Sequence, residues 1–120
     1  MEDCLFCKII AGEIPCYKVF ENEYVLAFLD IEPKAMGHTL IIPKKHFKDL
    51  DDIDENTLIE IFNAAKTIKK VLEEKLNCSG LSLIQNNGDL QEVKHFHLHL
   101  IPNYQENNEK TLEEIKAILG

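Results

Sequence analysis

Residues 95–101 read His-Phe-His-Leu-His-Leu-Ile, and this alternation constrains the fold more than any other stretch of the chain. A period of two marks a half-buried strand, whose successive side chains point to opposite faces. Phe96, Leu98 and Leu100 are then expected to face a core, with His95, His97 and His99 on the other side. Next-nearest residues on a strand stand about 6.6 Å apart. Three of the five histidines in the chain therefore share one face of one short segment. Four readings of that face stay open. It could chelate one catalytic zinc through all three imidazoles, supply a nucleophile and general base, sense pH, or simply be a solvated, histidine-rich strand surface.

The rest of the 120 residues supplies partners for such a strand. Residues 17–20 and 24–29 read as strands joined by a turn at Glu21-Asn22-Glu23, a hairpin signal. Residues 38–43 give another strand ended by Pro43, and 81–85 a fourth. Residues 94–101 are the histidine strand, ended by Pro102. The clearest helix spans 54–76, where Leu58, Ile61, Phe62, Ala65, Ile68, Leu72 and Leu76 recur at helical spacing. Asp54 is its expected N-cap and Gly80 its exit. A short helix over 4–11 should stop at Gly12. Thr111 and Glu114 form a capping box for a terminal helix bearing Leu112, Ile115, Ile118 and Leu119. Between them, 103–110 reads as polar loop. The expected fold class is α+β, a single domain over 1–120 with a five-stranded, mainly antiparallel sheet, one long helix and short terminal helices.

Charge narrows the function. A net charge of −8 excludes a general affinity for nucleic acid or anionic membrane, which needs a positive field. All thirteen basic residues are lysines, so phosphate chemistry would have to proceed without a bidentate arginine. Histidines, amides, backbone N–H groups and a lysine remain. No apolar run approaches the roughly 18 residues of a membrane span, and the start shows no secretory pattern. A cytoplasmic location follows as an expectation. There Cys4, Cys7, Cys16 and Cys78 would stay reduced rather than form a disulfide framework.

The Cys4–Cys7 pair then needs another explanation. Two thiolates at CxxC spacing can hold one zinc ion, and a tetrahedral site would draw two more ligands from His38, His46, His95, His97 and His99. Buried thiols of no further role and a redox pair are the alternatives, although a redox CxxC ordinarily follows a strand. A second cluster, Gln85, Asn86, Asn87, Gly88 and Gln91, runs up to the histidines. Each is an ordinary turn former taken singly. Together they offer uncharged donors and a small residue suited to cradling a phosphate.

Residues 95–101 also match, at every position, the His-φ-His-φ-His-φ-φ pattern (φ apolar) of the histidine triad (HIT) family. The segments CLFCKIIAGEIP, AFLDIEPKAMGHTLIIPKKH and Gln91-x-Val93-x-His95 resemble its Hint-like branch, so the likeness runs from Cys4 to Pro102. It implies a nucleotide hydrolase or nucleotidyl transferase acting at the α-phosphate of purine nucleotide derivatives, either phosphoramidates or dinucleoside polyphosphates. It implies a nucleotidyl-histidine intermediate on His97, with His99, His38 and Gln91 assisting. Asp30 would accept from ribose, and Phe6, Ile10, Ile14, Phe28 and Ile31 would hold the base. Either Asn86 or Asn87 would take the family's amide role at the phosphate, beside Gly88. A structural zinc on Cys4, Cys7, His46 and His95, and a homodimer, are further implications. Alternative functions are a nucleotide-binding scaffold with negligible turnover and a three-histidine zinc metallohydrolase. Two departures stand out: Asp89-Leu90 replaces the Ala-Gly common in the family, and Asn103 replaces a basic residue.

Overall fold

The computed structural model describes residues 4–105 and 110–120. Its elements are α1 (Leu5–Ile10), β1 (Lys18–Glu21), β2 (Val25–Leu29), β3 (Thr39–Pro43), α2 (Glu55–Leu76), β4 (Gly80–Gln85), β5 (Leu98–Asn103) and α3 (Leu112–Leu119). A single 3-10 turn, Gly88–Leu90, lies between β4 and β5. The strands form one sheet in the order β1-β2-β3-β5-β4, and every neighbouring pair is antiparallel. The expected fold class is therefore found. The part of the expected polar loop at 106–109 lies outside the described residues.

Local signals account for the helices. Asp54 accepts from the Thr57 N–H at 2.8 Å and starts α2. Thr111 and Glu114 exchange both bonds of the capping box that starts α3. The exit of α2 falls earlier than Gly80. Asn77 takes the left-handed conformation at φ 55°, which asparagine tolerates, and Gly80 already opens β4. Phe62 also departs from the core role that its spacing suggests. It is exposed, while Ile61, Ala65, Ile68, Leu72 and Leu76 carry the buried face.

The sheet has cover on both sides. One face packs under α2 and α3, with Ala27, Ile41, Leu98 and Leu100 meeting Ile61, Ile68 and Leu72. The other face carries a smaller core of Leu26, Phe28, Leu40 and Ile42 capped by Phe6 of α1. Central strands β2 and β3 are accordingly buried at every position. Gly37 leads into β3 at φ +80°, close against Leu72 and Leu76.

The histidine segment is the informative difference. Phe96, Leu98 and Leu100 face the α2 core as expected. Yet β5 begins only at Leu98 and runs through Pro102 to Asn103. Residues 95–97 lie outside the ladder, and their backbone groups bond elsewhere. The Phe96 N–H donates to the Phe47 carbonyl at 2.7 Å, and the His95 carbonyl accepts from the His97 ring at 2.8 Å. Nor is the histidine face solvated. His95 and His97 are buried at 0% and 4% exposure, with Phe6 presenting its ring edge-on to both.

Candidate active site

The backbone decides which His97 nitrogen can react. Nδ1 is turned back onto the carbonyl of His95 at 2.8 Å, a geometry that requires Nδ1 to donate. Neutral imidazole has one N–H, so Nε2 carries the lone pair. Burial pushes the His97 pKa down, against the pull of the His95 carbonyl, Asp30 and Glu92. The ring is therefore neutral at neutral pH, the form needed of a nucleophile.

His38 and His99 have the opposite polarity. The Lys34 backbone N–H donates to His38 Nδ1 at 3.1 Å. The proton of neutral His38 then sits on Nε2, which lies 2.9 Å from His99 Nδ1 and donates to it. His99 is left with its own proton on Nε2. His97 and His99, with ring centroids 4.9 Å apart, thus offer an acceptor and a donor side by side. Burial lowers the pKa of His38. Burial, then His97 and His38, take that of His99 down to about 4.

These rings open onto a cavity of about 530 Å³ between α1, the strand ends and the 86–93 loop. Phe6, Ile14, Phe28 and Ile31 form apolar wall, and Asp30 and Asn86 add polar groups. Asp30 Oδ1 is held by the Glu32 N–H at 2.9 Å, and Oδ2 is 3.6 Å from His38 Nε2. Four expected wall residues are absent. Ile9 lines the cavity and Ile10 does not, although the steps of three and four from Phe6 both keep to its face of the helix. Asn87 is a turn former, accepting from the Leu50 N–H and exchanging bonds with the Gln85 amide. Gly88, at φ +63°, serves the same turn without reaching the wall. Gln91 is buried and donates to the Lys48 carbonyl at 2.7 Å, tying the loop to residues 46–48. Its Oε1 has no partner among the described residues. Sequence reasoning missed Cys16, Lys34, Leu90 and Glu92, all on the wall. Only the alignment of Leu90 against the glycine usual in the family carried a hint.

His95 belongs to a different centre. Its Nε2 donates to the Pro43 carbonyl at 2.9 Å, and its Nδ1 faces Cys4, Cys7 and His46. The Sγ–Nδ1 separations are 3.4 Å for Cys4–His95, 3.4 Å for Cys7–His46 and 3.6 Å for Cys7–His95; the two Nδ1 atoms are 3.1 Å apart. All four could hold one metal ion. Burial followed by Cys4 raises the Cys7 thiol to about 11, and burial above all lowers His95 to about 4, favouring the ligating neutral ring. A three-histidine metal site on the triad is contradicted by this geometry. His95 points at the cysteines, His97 at its own backbone, and His99 at His38. His38 Nε2, which approaches Asp30, is already bonded to His99 Nδ1.

A buried histidine relay beside a cleft, on an open antiparallel sheet backed by one long helix, defines a small α+β protein built around paired imidazoles. The chain belongs to the HIT family: the model described as HIT domain matches residues 11–106. An uncharacterized HIT-like protein of Methanocaldococcus jannaschii is 47% identical over 110 residues, 88% of this chain and 83% of that protein. The adenosine 5'-monophosphoramidase of Saccharomyces cerevisiae is 47% identical over 107 residues, 88% of this chain and 65% of that one. A Zn-bound histidine triad family protein from Mycobacterium smegmatis superposes with a TM-score of 0.91 at 32% identity, over 98% of this chain and 91% of that chain.

Proposed function

We propose that this chain hydrolyses purine nucleoside 5'-phosphoramidates, transferring the nucleotidyl group first to His97 and then to water. The observation that carries the reading is the His97 Nδ1–His95 carbonyl bond, which commits Nε2 as the free lone pair. Similarity to relatives named adenosine 5'-monophosphoramidase in three fungi supports the leaving group chosen. In the first step Nε2 attacks the α-phosphorus and the P–N bond breaks. The amine leaves with that electron pair and takes up a proton. The His99 Nε2–H donates to phosphate oxygens as their charge grows; one such donor is worth about 3 kcal/mol. In the second step water oxygen attacks phosphorus, the N–P electron pair returns to His97, and the nucleoside monophosphate leaves with loss of a proton. Dividing one displacement into two lowers each barrier, and a neutral imidazole is both a good nucleophile and a good leaving group. Asp30 faces the ribose and the Phe6/Ile14/Phe28 wall takes the base. Gln91 acts by fixing the loop rather than by contact. Release of adenosine monophosphate from adenosine 5'-phosphoramidate tests this, and the His97→Ala protein should lose at least about 10³-fold in kcat. Near-normal turnover by His97→Ala would remove the mechanism.

The same reading places zinc on Cys4, Cys7, His46 and His95. Bonds of about 2.3 Å to sulfur and 2.0–2.1 Å to nitrogen give tetrahedral edges of about 3.5 Å for S–N and 3.3 Å for N–N, close to the separations found. Four protein ligands leave no open position, so the ion would brace α1 against the histidine segment. The Pro43 carbonyl fixes the ligating tautomer of His95. The reading also includes a homodimer. Edge strand β4 exposes Leu83 and Ile84, and α2 exposes Ile59 and Phe62, surfaces that a second copy would cover. A monomer by light scattering at micromolar concentration would remove that part.

A further inference from the structure

A second cavity, of about 320 Å³, adjoins the first. Lys34, Ala35, Met36, Ile101, Asn103 and Tyr104 line it. Ile101 follows His99 by two residues on β5, so both side chains lie on the same face of the sheet, about 6.6 Å apart along the strand. The floor is built rather than loose. The Tyr104 hydroxyl donates to the Met36 carbonyl at 2.7 Å and pins the 34–36 loop to the end of β5.

Lys34 belongs to the walls of both cavities and is the one lysine on either. Its backbone N–H holds His38 Nδ1, so its Cα is fixed to the histidine relay. Its positive charge works against protonation of His38 and His99, though less than burial does. No carboxylate lies within ion-pair distance of it among the described residues. In a chain of net charge −8 without arginine, this is the cation available to an anion lying beyond His99.

Resting on the nucleotidyl-transfer reading above, we infer that the second cavity receives the leaving group and that Lys34 selects leaving groups bearing an anionic substituent. With the base against Phe6 and Phe28 and the α-phosphate at His97 and His99, the leaving group continues past His99 toward Ile101. An ammonium there favours a carboxylate, as on an amino-acid amine, or a phosphate, as on a dinucleoside polyphosphate. The two share the chemistry of an oxyanion two or three bonds beyond the leaving atom.

The test compares adenosine 5'-phosphoramidate N-linked to glycine, the neutral methyl amide of the same compound, and a diadenosine triphosphate. Dissociation constants are measured on His97→Ala, which holds the compounds uncleaved, with and without Lys34→Met. Specificity constants are measured with His97 intact. The glycine carboxylate is expected to bind about fivefold more tightly than its methyl amide, the size of a partly exposed ion pair, and Lys34→Met should abolish that ratio. A Lys34-dependent factor larger for the triphosphate than for the glycine compound assigns phosphate as the preferred source; the reverse assigns carboxylate. Ratios unchanged by Lys34→Met for both overturn the inference, even with vigorous turnover. A Lys34-dependent binding ratio without monophosphate release from any compound upholds the subsite and refutes the hydrolase reading instead.

Discussion

An imidazole is a nucleophile or a donor according to which nitrogen its surroundings occupy, and here backbone groups make that choice. The His95 carbonyl claims one side of His97, the Lys34 N–H one side of His38, and His38 in turn one side of His99. Alternation in the sequence showed that the histidines share a face, and the HIT pattern ranked their roles. It could not show the tautomers, because the deciding partners are main-chain atoms that any residue would supply. A pH prediction follows from His99, which faces His97, His38, Asp30 and Lys34. Its folded pKa of about 4 lies below the ordinary 6.5. The unfolded chain therefore binds more protons between those values, so stability falls as pH drops from 6.5 toward 4 and changes little from this source above 6.5. Urea midpoints across pH 4–7 should slope less steeply for His99→Gln than for the native chain. Parallel slopes would contradict the assignment.

At the scale of elements, hydrophobic period and caps placed five strands and three helices with ends correct to a few residues. The misreadings have local causes. Alternation does not show which residues enter the ladder, so the sequence put His95 and His97 in β5, although the Phe96 N–H goes to the Phe47 carbonyl and the His95 carbonyl accepts from the His97 ring. Phe62 keeps the helical phase, but the described residues leave it exposed. In α1 the adjacent pair Ile9-Ile10 fits an apolar stripe either way; both pack on the core around Phe6, and Ile9 is the one of the two that lines the cavity. Gly37 is the sharpest test of packing between elements. At φ +80° a Cβ is strained, and it would also come within 2.6 Å of Leu76 Cδ1. Gly37→Ala should lose about 2 kcal/mol in chemical denaturation. An unchanged midpoint would mean that the joint between the β3 entry and α2 is looser than described.

Over the whole molecule, two centres share one histidine segment without sharing atoms. None of Cys4, Cys7, His46 and His95 lines the cavity, whereas His97 and His99 do. A metal ion held by the first four would therefore set the position of the histidine segment from behind, through His95 and the α1 cap at Cys4. Native protein should carry about one zinc per chain by elemental analysis. Removing it with a chelator, or by Cys4→Ser, should cost about 2–3 kcal/mol and lower Tm by roughly 10 °C. Chelation that leaves Tm unmoved would deny the ion a structural role. No described helix is long and apolar enough to cross a membrane. The central claim concerns His97 alone, and the most direct measurement is rapid quench of the native protein with adenosine 5'-phosphoramidate followed by peptide mass mapping. The account predicts one adenylyl group on the peptide carrying His97, absent from His97→Ala. An adenylyl group on another residue, or full turnover with none at all, would contradict it.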